Sequence, residues 1–565
     1  MILNQALQEQ LSAALVLHQA GRLEDAQRAY EIVLQTVPDH PQTRYLLAQI
    51  DLRRSKDTLA TLDQTRGRHS DDPEAYRQRG IALHALGRSQ DAILAYDRAI
   101  ELAPHMPTVH YNRGNALLAA DRADDALLSF GQALRLQPDY LEARYNSAVV
   151  YYDRKRFDTA LALLDVIVRR WPDFAPGHNL RGNTLMHLCR PADARVCYES
   201  AIAADPTLAD AHNNLGSAVR ELGDHGRALI SYRHALRLKP DFAEAHWNVA
   251  VAQLLLGDFS LGWMGYEWRK RLDRAHPVHA YREIEWDGRS AINGLTLLVY
   301  CEQGYGDTIQ FCRYTTMLAG FGAKIKLLVQ QPLVALLRRH LVGIEVIDEV
   351  AKPPAFDLQC ALLSLPLALA TDMDSIPKQQ PYFRPDPTRR KTWLRRLGTQ
   401  RRPRIGIAWS GNPAHINDHN RSIPLAAWRD LIALDAEWFS VQKDIRPSDA
   451  RALSELGRIV HLGDHLENFE DTAALIALMD LVISVDTSVA HLAGVLGKPV
   501  WLLVAATPDW RWLLGRADSP WYPTMRVFRQ PAYGDWASVI ADAASAVCAR
   551  FGIKRVDAKP NHAAQ

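Results

Sequence analysis

A chain of 565 residues, 48% hydrophobic and 23% charged, has room for several domains and the texture of a globular protein. Its 66 basic residues against 64 acidic ones leave a net charge of +2, which excludes the basic footprint of a nucleic-acid binder. Six scattered cysteines (Cys189, Cys197, Cys301, Cys312, Cys360, Cys548) form no CxxC pair, so neither a disulfide framework nor a zinc site is expected.

The start, "MILNQALQEQLSAALVLHQAGRLED", has no basic n-region and carries Glu9 and His18 where a leader would be apolar. No apolar run approaches the ~18 residues of a membrane span. A cytoplasmic protein without a transmembrane segment is the expectation.

The first half repeats itself. Prolines fall at Pro104, Pro138, Pro172, Pro206 and Pro240, 34 residues apart each time. Alanine keeps the same step at Ala92, Ala126, Ala160, Ala194 and Ala228. An aromatic follows four residues later at Tyr96, Phe130, Tyr198 and Tyr232, with Leu164 the exception. Small residues recur at Gly80, Gly114, Ala148, Gly182, Gly216 and Ala250. This is the tetratricopeptide pattern of two antiparallel helices per repeat. Earlier traces are Gly21, Ala26, Tyr30 and Pro38, then a short degenerate copy between Pro38 and Pro73. Residues 1–270 are therefore expected to form an α-solenoid whose concave face binds protein partners.

A second periodicity places asparagine at Asn112, Asn146, Asn214 and Asn248, mostly two residues after a histidine (His110, His212, His246). An amide both donates and accepts, so such a row could hold an extended peptide whatever its sequence. The plainer alternative is polar helix faces with local hydrogen bonds, the histidines serving as packing residues. The stretch "YRHALRLKPDFAEAHWNVA" is similar to the solenoid of the nucleocytoplasmic protein O-GlcNAc transferases, which carries such an asparagine ladder.

After an expected linker at 271–294 the texture changes to alternating strands and helices. "LTLLVYCE", "AKIKLLVQ", "GIEVID" and "FDLQCALL" read as strands of one Rossmann-like half, residues 295–385, the acceptor side. A linker at 386–403 holds a short basic helix. "RIGIAW", "WFSVQ", "IVHL", "LVISVD", "PVWLLV" and "MRVFRQ" read as strands of a second half, residues 404–552, the donor side. Residues 553–565 are expected to be a disordered tail. Alternating strands and helices imply parallel sheets, whose ligands lie beyond the carboxyl ends of the strands. Two such halves in series give the α/β GT-B arrangement of glycosyltransferases.

Each candidate motif lies at a strand end. In "CEQGYGDTIQFCRY", Gly304 and Gly306 would allow a tight turn near a ligand, and Asp307 is either a helix cap or a general base toward an acceptor hydroxyl. In "RIGIAWSGNPAHINDHNRSIPLAAW", Ser410, Gly411 and Asn412 would turn with free N–H groups. Arg421 is either a surface cation or a phosphate ligand. "FSVQKD" would point Gln442 and Lys443 into the same cleft. In "VISVDTSVAHLAG", Thr487 and Ser488 open a helix whose N-terminus suits a pyrophosphate. Asp486 would bond a sugar or ribose hydroxyl, and His491 would donate to a phosphate or sugar oxygen. The alternatives are an N-cap and a satisfied interior histidine. Asp372-Met373-Asp374 resembles a metal-binding DxD but lacks the strand context, so no metal and no cofactor are expected. Trp510, Trp512 and Trp521 read as packing of a long loop before they read as a sugar platform.

"DTSVAHLAGVLGKP" resembles the nucleotide-sugar motif of family 9 glycosyltransferases, the heptosyltransferases. The resemblance spans roughly 295–535 and implies that Asp486, Thr487 and His491 line the donor site. It also implies that Asp307 is the base and that Arg421 in "RSIP" is the basic residue of the family's K-x-W-P. Val489 and Ile423 depart from that pattern. Repeats joined to a GT-B pair are similar in plan to the protein O-GlcNAc transferases. The expected function is inverting, metal-independent transfer of a sugar from a nucleotide-diphosphate sugar, the co-substrate, to an acceptor hydroxyl. The acceptor expected is a polypeptide on the solenoid, with a cell-surface glycan or lipopolysaccharide precursor as alternative. A non-catalytic scaffold or nucleotide-sugar sensor is the rival reading.

Overall fold

The computed structural model describes residues 5–36, isolated positions between 43 and 56, and residues 72–272, 284–349, 355–377, 382–415 and 417–553. Pro38, most of the degenerate second repeat, part of the linker at 273–283 and the tail from 554 lie outside the described residues. The chain divides into two compact units, Met1–Leu188 and Cys189–Gln565.

The first unit is built of helix pairs: Gln5–Gln19 with Leu23–Thr36, Pro73–Ala85 with Ser89–Leu102, Pro107–Ala119 with Ala123–Leu136, and Leu141–Asp153 with Phe157–Arg170. Close packing explains its period. A Cβ on Gly80 would lie 2.4 Å from the Tyr96 ring, and one on Gly114 would lie 2.4 Å from Phe130. The aromatic of each second helix thus fills the hole left by the glycine of the first. Where the small residue gains a methyl, at Ala148, its partner shrinks to Leu164, and both are fully buried in one cluster. Volume is conserved across the pair.

The conserved step in proline has a polar counterpart. His110 and His178 place Nε2 at 2.9 and 2.8 Å from the carbonyls of Pro104 and Pro172, six residues back. Arg144 makes the same contact to Pro138, at 2.7 Å. In the second unit His212 and His246 repeat it with Pro206 and Pro240, at 3.0 and 2.8 Å. These side chains satisfy a carbonyl that the inter-repeat turn leaves unpaired.

The second unit begins inside the repeat array, with the helices Pro191–Ala204, Ala209–Glu221, His225–Leu238, Ala243–Leu255 and Phe259–Tyr266. Packing does not divide at the expected boundary of 270. Leu254, Phe259, Trp263 and Tyr266 share a core with Leu297, Ile309, Phe311 and Trp510 of the α/β region. Trp263 also donates its indole N–H to the carbonyl of Thr371, 2.9 Å away.

Two all-parallel sheets follow. The first contains β1 (Ile284–Glu285), β2 (Thr296–Tyr300), β3 (Lys324–Val329), β4 (Glu345–Asp348) and β5 (Leu358–Ala361), in the order β1-β5-β2-β3-β4. The second contains β6 (Arg404–Ala408), β7 (Glu437–Ser440), β8 (Ile459–His461), β9 (Leu481–Val485), β10 (Val500–Val504) and β11 (Met525–Arg529), in the order β11-β10-β9-β6-β7-β8. The expected strands are all present; the central ones, covered on both faces, read as unbroken apolar runs. The stretch expected as linker 271–294 adds the edge strand β1, paired with β5, and the buried Trp286. The linker at 386–403 holds the helix Pro387–Leu397, with Trp393 buried against the core.

The chain order reverses twice. It runs β2, β3, β4 to one side and returns to place β5 beside β2. It then runs β6, β7, β8 and returns to place β9 beside β6. These switch points open crevices beyond the carboxyl ends of β2, β6 and β9, the strands that "GYGD", "WSGN" and "DTSVAH" follow.

Candidate functional site

The loop after β2 leads into the helix Tyr305–Phe311, with Gly304 at its N-cap. Gly304 has φ −71° and ψ 168°, extended backbone open to any residue, and Gly306 lies within the helix. The expectation that these glycines serve a tight turn is therefore corrected. Gly306 is needed for space: a Cβ there would sit 2.8 Å from Cδ2 of His491. This contact brings the "GYGD" helix of the first sheet against the "DTSVAH" helix of the second.

Asp307 makes two bonds of its own. Its Oδ2 accepts the Gly304 N–H at 3.0 Å, which caps the helix, and its Oδ1 accepts from Arg511. Arg511 is buried, and its other nitrogens reach Asp509 at 2.7 Å and Gln310 at 2.9 Å. Its guanidinium stacks on Trp510, 4.2 Å from the ring centre. An ionised carboxylate has about four acceptor positions, so two bonds leave room for a substrate hydroxyl. Arg511 escaped the sequence reading because it lies 204 residues from Asp307 in a stretch that reads as an aromatic loop.

Beyond β9, Thr487 is the N-cap of the helix Ser488–Val495 but makes no side-chain cap bond. Its hydroxyl lies 3.2 Å from Ser484 Oγ instead. The helix start is thus left to its own backbone amides and dipole, an arrangement suited to an anion. His491, 5% exposed, places Nδ1 at 2.8 Å from the Tyr522 hydroxyl and packs beside Trp512. Burial first, then the charges of Arg511, Arg313 and Arg421, hold its imidazole neutral, well below its ordinary range. Its Nε2 is 3.9 Å from Asp486 Oδ1, so the two make no ion pair while the ring is neutral.

Asp486 is the strained member. Burial, and secondarily the charge of Asp509, push its carboxyl up to about 6. A carboxyl raised in the folded state costs stability once ionised. The cost is absent below about pH 4 and grows to its full value above about pH 6. Asp486→Asn is expected to raise Tm by a few degrees at pH 8, on the order of 1–3 kcal/mol, and to change little at pH 4. Equal shifts at both pH values in thermal melts would contradict this. Gly306→Ala is expected to cost about 1–3 kcal/mol, because Tyr522 and Trp512 prevent the His491 ring from yielding. A Tm equal to that of the unsubstituted chain would contradict it.

The loop after β6 departs from expectation. The N–H groups of Trp409 and Ser410 both go to Gln442 Oε1, at 2.9 and 3.4 Å, and that of Gly411 goes to Ser422 Oγ at 3.0 Å. They are not free for a ligand. Gln442, buried, also donates to Ser410 Oγ and to the Asp444 carbonyl. It holds the loop and does not point into the cleft, while Lys443 is exposed. Asn412 accepts from Ala414 N in a local turn. Arg421 does reach the site: its Nη1 donates to the Asp486 carbonyl at 3.2 Å. Its guanidinium lies flat over Gly411, where a Cβ would come within 2.6 Å. Arg446, unrecognised in the sequence, ties the Gly411 carbonyl, Asp418 and Ser422 together.

One member of the asparagine row, Asn248, is also corrected. Asn146 donates to Asn115 at 2.8 Å, and Asn248, 4% exposed, donates to Asn213 at 2.9 Å. Asn213 in turn donates to Asn214 at 3.4 Å. These amides bridge neighbouring helices, and Asn248 is too deep to meet a peptide; Asn112 and Asn214 are half-buried. Trp510, Trp512 and Trp521 are buried, so they pack and form no platform. Asp372 accepts from Asp374 N and Ser375 N in a turn of its own.

Fold and site thus define tetratricopeptide repeats joined to an α/β region of two parallel sheets like that of family 9 glycosyltransferases. Models of the tetratricopeptide repeat match residues 11–60 and 111–173, and a TPR-repeat model matches 80–121 and 216–257. The model of glycosyltransferase family 9 (heptosyltransferase) matches residues 457–535, which include the β9 motif, Arg511 and Tyr522. The chain is similar to Protein FlbA of Caulobacter vibrioides, with 26% identity over 314 residues, 51% of this chain and 52% of that protein. It therefore spans about half the length of the curated relative it matches. Among solved structures it is similar to MamA from Desulfovibrio magneticus RS-1, with 22% identity, a TM-score of 0.29, and 30% of this chain and 96% of that one covered. It is also similar to YrrB, described as a TPR protein with an unusual peptide-binding site, with 22% identity, a TM-score of 0.29, and 33% and 95% covered. Among the described residues, no helix is long and apolar enough to cross a membrane.

Proposed function

We propose that the chain is an inverting, metal-independent glycosyltransferase acting on a nucleotide-diphosphate sugar. The observation that supports this reading is the close approach of Gly306 to His491, which brings the strand-end motifs of the two sheets together. Asp307 takes the proton of an acceptor hydroxyl as its oxygen attacks the anomeric carbon from the first-sheet side. The bond from that carbon to the diphosphate breaks in the same step, which inverts the centre. The bonding pair leaves with the diphosphate, whose charge is stabilised by the amides at the Ser488 helix start, the Thr487 hydroxyl and Arg421. His491, neutral, donates a hydrogen bond without adding charge. The acceptor proposed is a hydroxyl-bearing polypeptide delivered by the repeats. A cytoplasmic location belongs to this reading, supported by the buried cysteines Cys301, Cys312 and Cys360, which are thiols and not disulfides.

Thermal shift with UDP-, GDP-, ADP- and CDP-sugars tests the donor site. One of them at about a hundredfold excess over its Kd should stabilise the folded chain by about 2.7 kcal/mol. No shift with any donor would overturn the site. A shift without nucleotide release, with acceptor polypeptides present, would reduce the chain to a sensor.

A further inference from the structure

The donor cleft is built partly by the repeats. The helix Ala209–Glu221 ends on Glu221, 8% exposed, far too deep for a carboxylate without partners. It has two. Its Oε1 faces Arg220 at 3.1 Å, and its Oε2 accepts from Asn420 Nδ2 at 3.1 Å across 199 residues of sequence. Asn420, 5% exposed, immediately precedes Arg421 in the short helix Asp418–Arg421. A second bond ties the same helix end to the α/β region: Thr507, in the loop after β10, donates to the Arg220 carbonyl at 2.7 Å.

We propose that Glu221, a residue of the repeat array, is a positioning residue for Arg421 in the donor cleft. A four-residue helix has little stability of its own and takes its place from its anchors. Arg446 holds one side, through Asp418 at 2.6 Å, and Glu221 holds the other, through Asn420. Arg421 then lies over Gly411 with its Nη1 on the Asp486 carbonyl, beside the helix start that would receive the diphosphate. The proposal rests on the reading of Arg421 as a diphosphate ligand.

The test uses the full chain carrying Glu221→Ala, Asn420→Ala and Glu221→Gln, each alone and with Arg421→Ala. Two measurements are made: calorimetric affinity for ADP, GDP, UDP and CDP, and amide hydrogen exchange of residues 418–422. Glu221→Ala and Asn420→Ala cut the same bond from opposite sides, so either suffices if the other folds poorly. Each is expected to speed exchange of 418–422 and to weaken nucleotide affinity about tenfold, with about twofold further loss at most once Arg421 is gone. Glu221→Gln, which can pair with a flipped Asn420 amide, is expected to restore most of the affinity. Unchanged exchange, or losses fully additive with Arg421→Ala, would overturn the proposal. If Arg421→Ala itself leaves nucleotide affinity intact, the diphosphate role of Arg421 falls; faster exchange in Glu221→Ala would then still establish the anchor.

Discussion

Replacing Asp307 with asparagine should lower turnover by roughly 10²–10⁴-fold, the usual contribution of a general base, and leave nucleotide affinity within about threefold. Asparagine is the informative substitution because it keeps an oxygen for the Gly304 N–H and fills the same volume. Alanine would leave neither the Gly304 N–H nor the buried Arg511 an acceptor, whereas asparagine keeps one oxygen for the two of them. A thermal melt of the variant accompanies the assay to separate a catalytic loss from a folding one. A single-turnover assay with saturating donor separates these effects. Turnover equal to that of the unsubstituted chain would remove Asp307 from the mechanism and leave it as a cap and an ion-pair partner.

The second large effect belongs to Arg511. Substituting methionine keeps the stem's packing but removes the charge that Asp307 and Asp509 share. Breaking a buried pair costs about 3–5 kcal/mol, and the lower end applies because Asp307 and Asp509 keep 20% and 35% exposure. A fall in Tm of roughly four degrees is expected, together with loss of activity as Asp307 swings free. Lysine should recover part of the stability but little of the activity, since a single ammonium cannot span Asp307, Asp509 and Gln310 at once. An unchanged Tm in Arg511→Met would mean that the ion pair carries no structural weight.

The strands were legible because burial on both faces leaves a continuous apolar signature, as in Leu481–Val485. The repeats were legible because a glycine and an aromatic must meet at a fixed step, as Gly80 and Tyr96 do. The edge strand β1 was not legible: both its residues, Ile284 and Glu285, are exposed and leave no apolar run. The division at Leu188 was equally silent, since the 34-residue period continues unbroken through Pro206 and Pro240. At the site, the positions of Asp307, Asp486 and His491 were readable from strand ends. The distant residues that hold the site together were not. Arg511, Tyr522 and Glu221 act across 204, 31 and 199 residues, where no local spacing rule applies. The glycines were found for the wrong reason. Gly306 and Gly411 matter for what a Cβ would strike, the His491 ring and the Arg421 guanidinium, and sequence alone does not name those neighbours.

In the proposed mechanism one cleft joins the carboxyl ends of β2, β6 and β9 around a nucleotide diphosphate. The decisive measurement is a crystal structure of the full chain with the best-binding nucleoside diphosphate. Phosphate oxygens are expected at the Ser488 helix start, within hydrogen-bond reach of Arg421, with Asp307 facing them across the cleft. A nucleotide bound elsewhere, with that helix start in contact only with water, would contradict it.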